Sequence, residues 1–384
     1  MQRHVRDNGV RPAIRPSRPA AAGFGVCCST MVEKSDPSRG CMTHFGSGGS
    51  RGLKKRIAAR LLSGTGIGRA LSAMLPQRGV LVLNYHRVGD GSASPYDREL
   101  WSATVDAFDA QIGFLKRHCD VISPSDLDAA LAEPRSRLVL VTFDDGYRDN
   151  HELAFPVLQA HGVPATFFIA TGFIDHPSIP WWDEIAWLSR STQAARIPLA
   201  PWFAKPLQVG HRRTPLIRKL LAKYKSLPAD DAGAMLSALR EATGVAHPPG
   251  APGHWMDWSM IREMADVGMT IGGHTVHHPV LSRLSPARQR EEIDGCAARI
   301  LAETGRRMEY FAYPVGSRWA FDDSTRACLE AAGVRRAFSY YGGYATLASP
   351  RFDVPRVAIE DHVGIHEFKA MARLPQVFCA RTYD

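Results

Sequence analysis

The fold is decided by Val139-Leu140-Val141-Thr142-Phe143-Asp144-Asp145-Gly146-Tyr147, a short apolar run that ends in two carboxylates and a glycine. Its β-branched composition predicts a strand buried on both faces, as in a parallel sheet covered by helices. Because side chains alternate along a strand, the two aspartates are expected to point in different directions. That suits one metal ligand and one base, whereas an ordinary Asp-Gly turn at a strand end is the alternative.

Around this stretch, apolar runs alternate with helical patterns from residue 79 onward. Strands are predicted at 80–85, 119–122, 139–145, 165–170, 269–272, 310–313, 336–340 and 354–359. Helices are predicted between them, with the longest at 286–303. Such alternation is typical of βαβ units, so the sequence predicts an α/β fold with about eight strands, enough for a barrel.

Bulk composition narrows the class of protein. The 384 residues are 45% hydrophobic and 22% charged, as in soluble globular chains. The net charge of +9 comes mostly from the first 80 residues, and no recognition helix, zinc finger or aromatic-basic pattern indicates nucleic-acid binding. Seven cysteines without a C-x-x-C pair favour a reducing compartment over a disulfide framework. Without a transmembrane run or a secretory signal pattern, the expected location is the cytoplasm.

Three regions are expected along the chain. Residues 1–51 are rich in Pro, Gly, Ser and Arg and are predicted to be disordered. Residues 52–78 are predicted to form a basic amphipathic helix, whose part at 52–75 contacts an anionic membrane surface or, alternatively, packs on the domain edge. The folded domain is expected at 79–375, with an insertion at about 174–256 that shapes a cleft.

Polar residues follow the predicted strands at their C-terminal ends. They are His86, Asp144, Asp145, His274, His278 and the segment Pro314-Val315-Gly316. In parallel β/α architectures this rim is where ligands bind and catalysis takes place. Scattered surface residues would not select one rim, so the shared position predicts a functional site there.

Two of these histidines have the spacing of metal ligands. His274 and His278 are four residues apart, so both imidazoles can reach one ion, and Asp145 completes a set of three protein ligands. Three ligands leave positions open for water and substrate, and this donor set suits zinc, cobalt, nickel or iron. His277 is an alternative to His278, and a pair of ordinary surface histidines is the alternative to a metal site.

The motifs resemble those of the polysaccharide deacetylases, the NodB-homology family also called carbohydrate esterase family four. Thr142-Phe143-Asp144-Asp145-Gly146 and His274-Thr275-x-x-His278 look like its first two motifs, and Phe311-Ala312-Tyr313-Pro314-Val315-Gly316 is similar to its third. The resemblance covers roughly residues 80–370. It implies a distorted (β/α)7-type barrel with a divalent metal, usually zinc.

The resemblance also implies roles for individual residues. Asp144 would be the general base, and Asp145, His274 and His278 would hold the metal. The reaction would be hydrolysis of an N-acetyl group on a poly- or oligosaccharide, with a metal-held water attacking the acetamide. The backbone N–H of Val315 would stabilise the oxyanion.

Two departures from the family pattern concern the other catalytic groups. Ala312 stands near the place of the arginine that usually holds the catalytic aspartate, and Arg356 is the proposed substitute. The last strand lacks the family's catalytic histidine, and His362 lies close but off register. A subgroup resembling the biofilm poly-N-acetylglucosamine deacetylases takes this histidine from an early strand that ends Tyr-His, which predicts His86 as the general acid.

The expected partner is an N-acetylated glycan, and aromatic residues near the rim are candidates for binding it. They are Tyr147, Trp181 and Trp182, with Tyr313 and Pro314 of the third motif; packing within the fold is the alternative for the tryptophans. Two other functions compete with N-deacetylation. One is hydrolysis of another non-peptide C–N or ester bond on the same scaffold, and the other is a catalytically silent glycan-binding protein of polysaccharide assembly.

Overall fold

The computed structural model describes residues 59–60, 78–134, 137–248 and 253–379. The predicted disorder at 1–51 lies outside this part, and so does the predicted basic helix at 52–78 except for the helical residues 59–60 and residue 78. Among the helices that are described, none combines the length and the apolar character needed to cross a membrane.

Eight of the twelve strands in the described residues match the predicted ones, most with shorter bounds, and four short strands were not predicted. The twelve strands are β1 (Val80–Tyr85), β2 (Arg87–Val88), β3 (Trp101–Ala103), β4 (Asp120–Val121), β5 (Leu138–Phe143), β6 (Thr166–Ile169), β7 (Arg196–Ile197), β8 (Leu207–Gln208), β9 (Thr270–Gly273), β10 (Tyr310–Ala312), β11 (Arg336–Phe338) and β12 (Val357–Ala358). The predicted strand at 139–145 therefore ends at Phe143, before the two aspartates.

Helices separate most of these strands. They are α1 (Val105–His118), α2 (Leu127–Ala132), α3 (Phe155–His161), α4 (Thr171–Asp175), α5 (Trp181–Ser191), α6 (Thr214–Ser226), α7 (Ala229–Thr243), α8 (Trp258–Asp266), α9 (Pro286–Thr304), α10 (Asp323–Ala331), α11 (Ile365–Arg373) and α12 (Pro375–Phe378). Several begin at side-chain caps, such as Thr104 before α1 and Ser285 before α9, whose oxygens accept backbone N–H groups of the first turn.

Seven parallel strands form one curled sheet in the order β11-β10-β9-β6-β5-β1-β12, and β4 pairs with β5 beside this path. This confirms the predicted α/β architecture. The segment 351–359 contacts both β11 and β1, because Val354 N–H donates to Ala337 O of β11 and Ile359 N–H donates to Asn84 O of β1, both at 2.9 Å. The segment that carries β12 therefore joins both edges of the sheet.

Alternation along the strands decides which side chains face the inside of the curled sheet. Val80 and Val82 of β1 belong to one apolar cluster with Leu140 of β5, whereas the intervening residues pack in a second cluster beneath the helices. Asn84 and Thr142 continue the inner row, one strand period further toward the C-terminal rim. Both are fully buried, so the inner row changes from apolar to polar at the rim.

The insertion between β6 and β9 is mostly helical. Its two longest helices are α6, which carries several basic residues, and α7. Both pack against α5, and the short antiparallel pair β7–β8 precedes α6. The insertion thus places α5 and α6 next to the rim of the sheet, where they form one side of a cleft.

Candidate metal centre and active site

Asp145 lies at the centre of the polar rim, directly after β5. Its Oδ1 is 3.4 Å from Nε2 of His274 and 3.3 Å from Nε2 of His278. All three side chains are buried, with at most 7% of each residue exposed. The structure therefore brings together the three residues that the sequence predicted as metal ligands.

The geometry of this cluster fits a tetrahedral metal ion. Ligand atoms about 2.1 Å from such an ion are about 3.4 Å apart, which matches both distances from Asp145. The Oδ1 atom of Asp145 is buried and has no hydrogen-bond partner among the described residues, so its lone pairs remain available to an ion. Asp145, His274 and His278 also form the one group of potential metal ligands found within the described residues.

Each imidazole is oriented by its surroundings. Nδ1 of His274 lies 2.7 Å from Ala312 O at the end of β10, so it carries the proton and leaves the Nε2 lone pair to face Asp145. The His278 ring packs against Trp182, with centroids 4.4 Å apart, and its carbonyl accepts a hydrogen bond from Trp181 Nε1. The rings are thus held before any ion binds.

Electrostatics at the cluster favour an ionised Asp145. Burial disfavours its charge, but the two imidazoles outweigh this and hold the pKa of Asp145 well below its usual value. Burial is also the main influence on His278 and lowers its pKa, which favours the neutral imidazole that binds metals.

His277 points away from this cluster. Its side chain is 71% exposed and its Nδ1 pairs with Glu292 Oε1 at 2.8 Å. Of the two neighbouring histidines, only His278 lies beside Asp145. Glu292 was not identified from the sequence, yet its Oε2 accepts the backbone N–H groups of Val276 and His277 and so anchors the loop between the two ligands.

Backbone strain is concentrated at this site. Among the described residues, four other than glycine have φ in the left-handed region: Asp145 (76°), Thr275 (69°), His278 (55°) and Val315 (65°). Such conformations cost about 1–3 kcal/mol each and are true outliers for β-branched residues. Asp145, His278 and Val315 line the cleft, and Thr275 lies between the two histidines, so the strained residues all cluster around this site.

Asp144 makes a different set of contacts from its neighbour. Arg356 donates from Nη1 to Oδ1 at 2.7 Å and from Nη2 to Oδ2 at 2.8 Å, and Asn84 Nδ2 donates to Oδ2 at 3.1 Å. Burial raises the pKa of Asp144, but the Arg356 guanidinium outweighs this effect and lowers it. The structure thus brings the predicted Arg356 into contact with Asp144, and it adds Asn84 as a partner that the sequence did not reveal.

His86 follows β1 and lines the cleft beside the two aspartates. Its backbone is fixed by Ser102 Oγ at 2.9 Å and by Asn150 Nδ2 at 2.7 Å, and its ring meets Tyr340 edge-on at 5.5 Å. Neither ring nitrogen has a hydrogen-bond partner within the described part of the chain. Burial lowers the pKa of His86, while Asp145 and Asp144 act in the opposite direction.

The cleft above these residues has a volume of about 1260 Å³. Its lining includes the metal cluster, His86 and Asp144, together with aromatic and loop residues that the sequence singled out: Trp181, Trp182, Tyr313 and Val315. Among the described residues, the N–H of Val315 has no acceptor, so it remains available to the cleft. Gly316 makes this turn feasible, because a Cβ there would lie 2.5 Å from Tyr340 Cβ.

Two predicted substrate contacts are wrong. Tyr147 is fully buried, stacks on Trp255 at 4.7 Å and accepts a hydrogen bond from Trp182 Nε1, so its ring is not offered to a ligand. Pro314 is also buried and does not line the cleft. Asp145 and Gly146 both have positive φ, and this turn directs the chain after β5 into the core.

The tryptophans differ from one another. They were expected on a loop but begin helix α5. Trp182 is 5% exposed and mainly packs, whereas Trp181 is half-buried and stacks on Tyr224 with centroids 4.4 Å apart. Tyr313 donates its hydroxyl to Phe352 O and stacks on Phe321, so it contributes an edge of the cleft rather than a free ring face. Trp181 is therefore the most exposed of these three rings.

A second carboxylate pair lies at the side of the cleft. The Asp97 N–H donates to Asp183 Oδ1 at 2.9 Å, and Asp97 Oδ1 accepts from Glu99 N–H at 3.1 Å. Burial, reinforced by the nearby Asp183 charge, raises the pKa of Asp97 from 3.8 to about 6. The ionised form of Asp97 is thus disfavoured in the folded protein.

This pKa predicts a stabilising substitution at alkaline pH. Because the folded-state pKa is raised, the stability contributed by Asp97 is complete below about pH 4 and is lost as pH rises through about 6. Asp97→Asn keeps the acceptor but carries no charge, so it is expected to raise the free energy of unfolding at pH 8 by on the order of 2 kcal/mol. Urea unfolding at pH 8 and pH 4 checks this, and a variant less stable than wild type at pH 8 contradicts it.

Comparison with known proteins gives consistent results. A family model described as polysaccharide deacetylase matches residues 132–337. The chain is 30% identical over 293 residues to YxkH of Bacillus subtilis (strain 168), which is named as a polysaccharide deacetylase, covering 75% of this chain and 74% of that protein.

The chain also resembles solved structures. The chain is similar to the Streptococcus pyogenes deacetylase PplD in complex with acetate, with a TM-score of 0.52 and 18% identity over 77% of this chain and 97% of that chain. It also matches BC0361, a polysaccharide deacetylase from Bacillus cereus, with a TM-score of 0.49 and 19% identity over 77% and 68% of the two chains.

Proposed function

Because the chain belongs to the polysaccharide deacetylase family, a family of hydrolases that act on polysaccharides, we propose that it removes N-acetyl groups from an N-acetylated poly- or oligosaccharide. The observation that carries this proposal is that two adjacent aspartates contact different partners. Asp145 faces His274 and His278, while the adjacent Asp144 is held by Arg356. A ligand set and an oriented base thus lie side by side in one cleft.

The metal proposed for Asp145, His274 and His278 is divalent, with zinc as the first choice. When bound, such an ion polarises the acyl carbonyl and lowers the pKa of water. Three protein ligands are the number used by catalytic sites, whereas closed structural sites use four. The absence of a fourth protein ligand in the described residues supports a catalytic role.

The residues of the chain then divide the proton transfers. Asp144, kept ionised by Arg356, accepts a proton from the attacking water as the new C–O bond forms. The N–H of Val315 donates to the developing oxyanion. His86 in its protonated form donates to the amide nitrogen as the C–N bond breaks. The products are acetate and an amino sugar. At this point Asp144 has taken up one proton and His86 has released one.

Removal of the proposed acid tests its role. His86→Gln is expected to lower kcat for an N-acetyl substrate by about 10²-fold or more, because the leaving amine is then unprotonated. The loss should shrink with 4-nitrophenyl acetate, whose leaving group needs no proton, and kinetic assays of acetate release from both substrates check this.

His362→Gln is the matched control for this experiment. His362 also lines the cleft, but its side chain is 59% exposed and pairs with Glu360. The control variant is expected to keep nearly full activity on both substrates. If His362→Gln shows the larger loss, or if His86→Gln loses equally on both substrates, His86 is not the general acid.

The proposed function as a whole is tested by acetate release. Purified protein should release acetate from at least one of chitooligosaccharides, poly-N-acetylglucosamine and peptidoglycan fragments. A chelator should abolish the release, and added zinc should restore it. Release from esters alone would favour the ester hydrolase, and binding without any release would favour a silent glycan-binding protein.

A further inference from the structure

One side of the cleft is strongly basic. Six permanently charged residues of the insertion line it, and we call them the basic wall: Arg190, Arg212, Arg213, Arg218, Lys219 and Lys225. Arg212 and Arg213 come just before α6, and Arg218, Lys219 and Lys225 lie along that helix. The hydrolytic residues described above need no such set of cations, so its presence calls for another role.

Besides Asp144 and Asp145, four carboxylates line the same cleft as the six cations of the basic wall. Glu99 is engaged by Arg218, whose Nε lies 2.8 and 3.1 Å from its two oxygens. Asp97, two residues before Glu99, also lines the cleft. Its pKa is raised to about 6, so it is only partly ionised near that pH. The remaining acidic lining outside the metal centre, Glu360 and Glu367, belongs to the C-terminal part of the chain.

Three members of the basic wall, Arg190, Arg213 and Lys219, make contacts that leave their charge in place. Arg190 donates to Tyr96 O and Arg213 donates to Thr192 O, both at 3.2 Å, and backbone carbonyls do not neutralise a guanidinium. Lys219 lies 5.4 Å from the ring of Phe203, which positions the ammonium without removing its charge. Cations collected along one side of a cleft focus a positive potential that attracts anions.

The basic wall adjoins the ring of Trp181, which is more exposed than those of Trp182 and Tyr313. Trp181 donates to His278 O at the metal cluster, stacks on Tyr224 of α6 and lies 5.9 Å from Lys225 Nζ. A sugar on Trp181 would therefore be close to the hydrolytic residues and to cations of the wall at the same time. Substituents on that sugar or on the next one would meet positive charge.

The chemistry of the product points to the same conclusion. Each removal of an acetyl group leaves an ammonium on the glycan, and a neutral glycan would become a polycation beside the basic wall. Before the reaction, an anionic group on a neighbouring sugar would balance the positive charge of the basic wall. After the reaction, the same group would balance the charge of the new ammonium. Electrostatics therefore favour a substrate that alternates N-acetyl groups with negative charge.

We propose that the substrate is an anionic N-acetylated glycan whose carboxylate or phosphate groups bind the basic wall. This inference rests on the proposed deacetylase function and specifies its substrate class. The anion is recognised by Arg212 and Lys219 in particular, which are exposed and face the cleft.

The test compares three oligosaccharides of equal length. One is neutral and built from N-acetylglucosamine, one alternates it with glucuronic acid, and one carries phosphodiester links. With wild-type protein, kcat/KM for at least one anionic substrate is expected to exceed that for the neutral one by about tenfold or more at low salt. The preference should fall in 0.5 M NaCl, where the Debye length is only a few ångströms. The better anionic substrate identifies the carboxylate or the phosphate as the natural group.

Paired double variants locate the effect. Arg212→Gln with Lys219→Gln removes two charges from the basic wall, and the ratio of kcat/KM for anionic to neutral substrate should fall about tenfold, mainly through KM. Lys205→Gln with Lys223→Gln removes the same charge from insertion residues outside the cleft lining and should leave that ratio unchanged. An equal fall in both double variants would contradict specific recognition by the wall.

The outcomes separate this inference from the proposed function. Acetate release that is as efficient from the neutral substrate as from both anionic ones overturns the anionic substrate class and leaves the deacetylase function standing. If no substrate releases acetate, the proposed function fails, and calorimetric titration of the wild-type protein decides the binding inference. Equal or weaker binding of the anionic oligosaccharides then overturns it, whereas tighter binding supports it.

Discussion

Asp144→Asn is expected to lower the rate of acetate release by about 10²–10⁴-fold, the usual contribution of a positioned general base. Asparagine keeps the size of the side chain but cannot accept the proton of the attacking water. The metal should remain, because Asp145 and the two histidines make no use of Asp144 for their own contacts. Acetate assays together with metal analysis of the purified variant measure both quantities.

Stability complicates this variant, since Arg356 is fully buried and would lose a charged partner. Breaking a buried ion pair on one side costs about 3–5 kcal/mol. Asp149→Asn is the matched control, because Asp149 is a buried aspartate that pairs with Arg87 at 2.9 Å outside the catalytic set. The control should lose comparable stability and keep most of its turnover. Full turnover by Asp144→Asn, or an equal loss in the control, would refute Asp144 as the base.

The second large effect is expected at the metal cluster, where two adjacent histidines allow a direct comparison. His278→Ala removes one of three ligands and should weaken metal binding by more than the roughly 10–100-fold that outer partners contribute. Acetate release should fall with the metal content. His277→Ala removes only an exposed contact to Glu292 and should retain both metal and activity.

Equilibrium dialysis with zinc followed by acetate assays at saturating metal separates affinity from catalysis. If His277→Ala loses the metal and His278→Ala keeps it, the ligand set inferred from the geometry is wrong. If both variants keep it, the cluster is not the metal site. If high zinc restores part of the activity of His278→Ala, the substitution acts by weakening zinc binding.

The central motifs could be predicted from the sequence because each is short and sits at a strand end. The alternation of apolar runs fixed the order of strands and helices, and the rim of a parallel sheet then brought Asp145 near His274 and His278. The turn at Asp145 and Gly146 shows that the two interpretations of Asp-Gly were compatible. It is a left-handed turn and also part of the functional site.

Other contacts depend on distances along the chain that no local pattern encodes. Arg356 was proposed from the sequence as the arginine that holds Asp144, but its bidentate contact with a residue 212 positions away is seen only in the folded chain. Asn84 and Thr142 could have been found by extending the inner row of β1 and β5 to the rim. The prediction that Tyr147 lines the cleft was wrong. The direction of a side chain after a turn depends on the backbone angles of that turn, which the residue type does not reveal.

The contacts of residues 351–359 have a consequence for folding during synthesis of the chain. Ribosomal synthesis proceeds from the N-terminus, so Asp144 emerges more than two hundred residues before the guanidinium that orients it. The nascent chain can build most of its strands in that interval, but its base has no fixed orientation. If Asp144 is the base, as proposed, a chain released before residue 356 would lack the group that orients it and would not release acetate.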